Sequence, residues 1–230
     1  MGPTVLVRAG ASGLGEGMTP HRAVRALAIA ATAAAGYSLA RGQALRWGAS
    51  QVERAVGLPG DDLVPHADLV ATRAITVHAP AERVWPWLLQ LGQGRGGFYS
   101  YDALEQLVGL GITSADRIEP RWQELAVGDE VRLAPQVGLA VAVLEPPHAL
   151  VLHGAGPSLP DEDAPPFDFA WAFVLRPGAT PDSCRLVVRE RYAYAEPWAR
   201  WVVEAVSWVS LLMTERMLRG VRDRAERTPA

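Results

Sequence analysis

The order of elements is what most limits the folds open to this chain. One alternating strand comes first, then two short helices, then a run of strands broken by Pro/Gly/Asp turns, and a long helix closes the chain. From Thr72 to Val77, Ile75 and Val77 fall on one side and Thr72, Ala74 and Thr76 on the other, the period of a half-buried strand. His78-Ala79-Pro80 ends it, and Pro80 suits the first turn of a helix carrying Trp85, Trp87, Leu88 and Leu91 on one face. A glycine-rich loop around Arg95 and the aromatics Phe98, Tyr99 and Tyr101 lead to a second helix over 101–110. Strands are predicted at about 129–134, 138–145, 148–153, 167–176 and 184–194. Pro197 then opens a helix in which Trp201, Ala205, Trp208, Leu212 and Met217 recur, with Trp198, Trp201 and Trp208 read as core knobs. This is an α+β order in which the last helix must cover one face of an antiparallel sheet.

Composition removes several classes of function. At 230 residues and 49% hydrophobic content, the chain can bury one substantial core. A net charge of −3 gives no support for nucleic-acid binding, although all 22 basic residues are Arg. The lone Cys184 excludes an internal disulfide framework and reads as a small buried residue. His21, His66, His78, His148 and His153 show no metal-ligand spacing, and His153 reads as exposed at a strand end. Gly92 to Gly97 lacks the Gly-Lys-Ser/Thr ending of a phosphate loop, so neither a metal nor a cofactor is expected.

The first 50 residues hold five arginines against Glu16 alone. Between Arg25 and Arg41 runs an uncharged Ala-rich segment at 26–40, shorter than the roughly 20 apolar residues of a spanning helix. Three readings stay open for it: a helix packed on the protein, a membrane anchor, or a cleaved signal following a start at Met18. The expected location is accordingly cytoplasmic or membrane-associated, with secretion as the third alternative.

Strand phase singles out candidate site residues. Phe167, Phe169, Trp171, Phe173 and Leu175 share one face of a strand. In the next strand Leu186, Val188, Glu190, Tyr192 and Tyr194 share a face, with Arg185, Arg189 and Arg191 opposite and expected in solvent. Glu190 is thus a carboxylate in phase with an apolar row. It is either a general acid or base or the partner of an arginine such as Arg73. Arg95 either grips an anion or ties its loop to the protein's own carbonyls. Asp102 and Glu105, three apart on the second helix, serve acid–base work or capping.

Long ordered strings extend the reading. ATRAITVHAPAERVWPWL from Ala71, GQGRGGFYSYDALE from Gly92, ADRIEPRWQELAVGDEVRL from Ala115 and TERMLRGVRDRAE from Thr214 resemble the SRPBCC or START-like superfamily of polyketide cyclase/dehydrase and lipid-transport proteins. Arg46-Trp47-Gly48 and Leu58 to Pro65 resemble an uncharacterised bacterial subgroup of it. The resemblance implies a helix-grip domain at 70–227, preceded by an extension at 1–45 and an approach segment at 46–69. It also implies a cavity between sheet and long helix that holds an apolar ligand. The expected lining is Trp87, Arg95, Phe98, Tyr99, Tyr101, Trp122, Phe169, Trp171, Phe173, Glu190 and Tyr192. Binding or transfer of a hydrophobic small molecule (a lipid, quinone or polyketide-like compound) is the leading expectation. The alternatives are a cofactor-free cyclase, dehydratase or hydrolase using Glu190 or Arg95, and a membrane-tethered interaction domain without ligand. The superfamily does not imply one chemistry, because fold alone does not fix function.

Overall fold

A computed structural model describes residues 20–101, 113–135, 137–154 and 166–227. The helix expected at 101–110, with Asp102 and Glu105, lies outside the described residues. The chain divides into two compact units, 1–41 and 42–230.

Within the first unit runs most of α1 (Pro20–Ala44). Its side chains from Leu27 to Ala40 are all exposed. Thr32 and Ser38 donate back to the carbonyls of Ala28 and Ala34, one turn earlier. Among the described residues, no helix is long and apolar enough to cross a membrane.

The second unit is built on one six-stranded antiparallel sheet. Its elements are α2 (Gln51–Ala55), β1 (Leu69–Val77), α3 (Ala81–Leu89), a 3-10 turn (Pro120–Trp122), β2 (Glu130–Ala134), β3 (Val137–Glu145), β4 (Ala149–Gly154), β5 (Phe167–Pro177), β6 (Cys184–Tyr194) and α4 (Ala199–Arg227). Strand order is β1-β6-β5-β4-β3-β2, so the first and last strands of the chain pair directly. This sheet and its long C-terminal helix form the helix-grip arrangement. Pro80 is the N-cap of α3 rather than a residue of its first turn, and its carbonyl accepts from Arg83 and Val84.

Two faces of the sheet form two cores. The inner face, under α3 and α4, buries Leu150, Leu152, Phe169, Trp171, Phe173, Leu186, Val188 and Tyr192. The outer face buries Ala74, Val151, Ala172, Val174 and Val187 beneath Leu58 and Leu63 of the segment before β1. That covering segment overturns the expectation of solvated arginines on β6. Arg189 is only 3% exposed. It donates to Thr72 Oγ1, Asp61 Oδ2 and the carbonyls of Glu53, Arg54 and Val56. Arg185 pairs with Glu53 and donates to the Gly48 carbonyl, while Arg191 donates to the Val64 and Pro65 carbonyls. Alternation fixes which side a residue faces, but not what chain later covers that side.

The expected seam of α4 holds at Met217, is half-buried at Trp208 and fails elsewhere. Trp198 and Trp201 are 55% and 69% exposed, and Leu212 is exposed too. The buried stripe runs through Val203, Ser207, Thr214, Met217, Leu218, Val221 and Ala225, at helical spacing and with two hydroxyl residues in it. Gly220 lies on this stripe, where a side chain would run into the Tyr99 carbonyl, so only glycine lets loop and helix meet there. Cys184 is buried, and burial lifts its thiol to about 11.

Candidate functional site

The register of the three central strands explains how one polar group comes to sit in an apolar face. Across β1, β6 and β5 the inner-face rows are Arg73–Val188–Phe173, Ala71–Glu190–Trp171 and Leu69–Tyr192–Phe169. Glu190 therefore lies between a methyl group and an indole. The small Ala71 leaves room for Arg73, one step along β1, to reach it. Arg73 and Glu190 are 1% and 2% exposed, and Arg73 Nη1 stands 2.7 Å from Glu190 Oε1.

Helix α4 completes the cluster. Ser210 Oγ lies 2.8 and 2.7 Å from the two Glu190 oxygens, and Thr214 Oγ1 donates to Oε1 at 3.0 Å. Tyr192 donates to Oε2 at 3.4 Å. Burial raises the Tyr192 phenol well above its ordinary value, and the Glu190 charge raises it further, so it stays a neutral donor. Four donors thus converge on one carboxylate, using the acceptor sites a carboxylate offers. Buried charge is tolerated only with such pairing. Arg73 is less completely matched. Its Nε donates to the Ala44 carbonyl and Nη1 also reaches Ser210, while Nη2 has no partner among the described residues.

An aromatic wall adjoins this cluster. Phe169 stacks on Tyr192 with ring centroids 4.5 Å apart, Trp171 lies 4.7 Å from Phe173, and Phe98 closes on Trp171 at 6.2 Å. Exposure changes along the wall: Phe173 is fully buried, whereas Phe169 and Trp171 each keep 9%. The indole Nε1 of Trp171 is buried without a partner among the described residues.

The remaining expected residues fall elsewhere. Arg95 Nη2 donates to the Leu89 and Trp122 carbonyls, both at 2.9 Å, so these bonds go to the protein's own backbone. Burial lowers its guanidinium from the ordinary value, against the pull of Asp129 and Tyr99. The loop around it closes by paired Gly92–Gly97 backbone bonds, with Gly97 at φ 72°, where glycine alone is unstrained. Tyr99 donates to the Trp87 carbonyl, and the two rings meet edge to face at 5.8 Å. Burial pushes the Tyr99 phenol above its ordinary range. Trp122 is half-buried with Arg121 over its ring, and Tyr101 is exposed. His153, expected in solvent, is half-buried and bonds Asp168 at 2.9 Å, because the two residues share the outer face of neighbouring strands. Among the described residues, no group of three or more His, Cys, Asp or Glu could hold a metal ion.

Ser210 and Thr214 were not anticipated from sequence. The available signal is a hydroxyl pair one turn apart on a helix that must cover apolar sheet. Two surface hollows, of about 600 and 460 Å³, contain no residue of the wall. Arg224–Asp116 and Arg219–Glu215 ion pairs border them, so they read as grooves beside surface ion pairs.

In fold the chain is a six-stranded antiparallel sheet covered by one long C-terminal helix, the helix-grip arrangement. No family model matches it, and no curated protein does. Among solved structures it is similar to norcoclaurine synthase from Thalictrum flavum, at 14% identity and a TM-score of 0.42, over 70% of this chain and 87% of that one. The di-domain ARO/CYC BexL of the BE-7585A biosynthetic pathway is 14% identical with a TM-score of 0.36, over 69% of this chain and 46% of that one. A conserved protein from Geobacillus kaustophilus is 13% identical with a TM-score of 0.39, over 68% and 95%. At these scores the likeness decides nothing about activity.

Proposed function

We propose that the chain binds a hydrophobic small molecule against the inner-face aromatic wall at Phe169 and Trp171, between β5/β6 and α4. The observation that carries this reading is Trp171: its indole lines a wall that keeps slight exposure, and its N–H is buried without a partner among the described residues. Binding sites are typically apolar with a few placed polar groups, and this one has Trp171, Arg73 and Tyr192 beside Phe98 and Phe169. A lipid, quinone or polyketide-like compound fits such a wall.

The catalytic alternative needs Glu190 to take or give a proton. Arg73, Ser210, Thr214 and Tyr192 already occupy it, which favours a fixed counter-ion over a base.

The test is native mass spectrometry of the purified full chain for a co-purifying small molecule, followed by displacement of an apolar fluorescent probe. Trp171→Ala should weaken the probe at least several-fold. A chain that carries no ligand and binds no apolar probe would leave the filled-core alternative in place.

A further inference from the structure

Helix α4 carries a second apolar face, and nothing among the described residues covers it. Trp198, just ahead of the helix, is followed by Val202, Ala205, Val209 and Leu212 at alternating steps of four and three residues, the spacing of a coiled-coil seam. Trp201 and Val206 flank them, and all of these side chains are exposed. Trp198, Trp201, Val209 and Leu212 each keep more than half of their surface. This stripe lies on the side of the helix away from Val203, Ser207 and Thr214, which are buried. No charged residue interrupts it before Arg216, the next position of the repeat. Together these side chains expose roughly 600 Å². A contiguous apolar patch of that size marks a contact surface.

We propose that a second copy of this chain packs on this face, the two α4 helices running antiparallel. The steps from Trp198 to Arg216 are four, three, four, three and four, which read the same in both directions. The stripe is therefore complementary to itself, as a two-fold contact requires. With the axis level with Ser207, Val202 meets the partner's Leu212 and Ala205 meets the partner's Val209. Trp198 then meets the partner's Arg216, a cation against an indole. Ala205 keeps the middle small enough for the helices to close, and the two tryptophans supply the anchors that dominate such contacts. Two copies bury about 1,200 Å² through these residues alone, the lower end of a stable interface. A lipid surface fits less well. From Ala199 to Met213 the helix carries one basic residue, Arg200, and one acidic, Glu204, with no basic cluster to meet anionic headgroups.

Sedimentation velocity and light scattering of the full chain test this. The wild-type chain should be a dimer whose melting temperature rises with protein concentration. Val209→Arg puts a charge at the middle of the seam, on a side chain exposed in the single copy. The fold should survive, and association should weaken at least about tenfold, the effect of burying one unpaired charge. Leu39→Arg, on the exposed part of α1, should leave the dimer intact. A second measurement needs no charged variant. Ala205→Cys chains mixed with Val209→Cys chains should oxidise to a covalent dimer while neither chain does so alone, Cys184 being buried. A monomeric wild-type chain would overturn the proposal, as would a dimer split by Leu39→Arg and not by Val209→Arg. Equal cross-linking of either cysteine variant alone would overturn the antiparallel seam. Flotation of the wild-type chain with phosphatidylcholine vesicles, lost in Val209→Arg, would give the face to lipid instead.

Discussion

Two buried arginines sit on opposite faces of the same sheet, and they differ in how fully they are matched. On the outer face, Arg189 has every nitrogen engaged: Nε with Thr72, Nη1 with Asp61 and the Val56 carbonyl, Nη2 with the carbonyls of Glu53 and Arg54. On the inner face, Arg73 spends Nε and Nη1 on Ala44, Glu190 and Ser210 and leaves Nη2 over. A saturated guanidinium is a fastener. It holds the segment from Glu53 to Asp61 onto the sheet through a fork that lysine cannot imitate. Arg73 is instead the counter-ion of one buried carboxylate, with a nitrogen left over among the described residues.

The largest expected effect is at Arg189. Arg189→Met should destabilise the fold by about 3–5 kcal/mol, because Asp61 and three backbone carbonyls lose their donor together. Urea or thermal unfolding measures it. A cost below 1 kcal/mol would mean water replaces the guanidinium easily and the outer face is not fastened through it.

Arg73 sharpens the contrast. Arg73→Met alone should cost about 3 kcal/mol by stranding the Glu190 charge in the core. Adding Glu190→Met should recover much of that loss, since removing both charges removes the problem. No second substitution can do this for Arg189, whose partners are mostly backbone carbonyls. A double variant no more stable than Arg73→Met would show that Ser210, Thr214 and Tyr192 depend on the pair as heavily as the Arg189 carbonyls depend on their arginine.

What the sequence shows about these faces follows from what alternation can encode. The strands expected at 167–176 and 184–194, the aromatic row and the inward Glu190 all come from period-two patterning, and β5 runs one residue further, to Pro177. The Glu190–Arg73 pair follows from the cost of an unpaired buried charge. Arg185, Arg189 and Arg191 carry the same patterning, yet the segment that covers them, 53–65, is short, turn-rich and modestly apolar, so no local signal announces it. On α4, the buried stripe includes Ser207 and Thr214 while Trp201 and Leu212 face out. Counting apolar residues therefore selects the wrong side of the helix. The glycine loop is legible as a loop. That Arg95 turns to the Leu89 and Trp122 carbonyls is not, since those acceptors carry no side-chain signature.

Arg95 lies between the two extremes. Two of its bonds go to backbone carbonyls, as in Arg189, and its Nε is unmatched, as is Arg73 Nη2. Arg95→Lys should cost about 1–2 kcal/mol, because one ammonium cannot span the carbonyls held by the fork. It should change affinity for a neutral apolar probe and for an acidic one by the same factor. A selective loss of the acidic probe with an unchanged melting temperature would make Arg95 an anion grip rather than a fastener.

The smallest effect is the acid response of the outer-face fastening. Burial alone would raise the Glu53 carboxyl, but hydrogen bonds from Arg185, from the Ser50 backbone and from the Ser50 hydroxyl outweigh it and hold the pKa at about 2 rather than 4.5. The geometry agrees: Arg185 Nε stands 2.6 Å from Oε1 and Ser50 N 2.7 Å from Oε2, as the capping box of α2. A folded-state pKa below the unfolded one adds stability that is fully present above about pH 4.5 and is lost as pH falls toward about 2. Glu53→Gln should therefore lower stability at pH 7 by less than about 1 kcal/mol, since the pair is only partly shielded from solvent. It should also flatten the fall in melting temperature between pH 4.5 and 2. An identical acid profile in the variant would take that loss away from Glu53 and from the fastening it shares with Arg185.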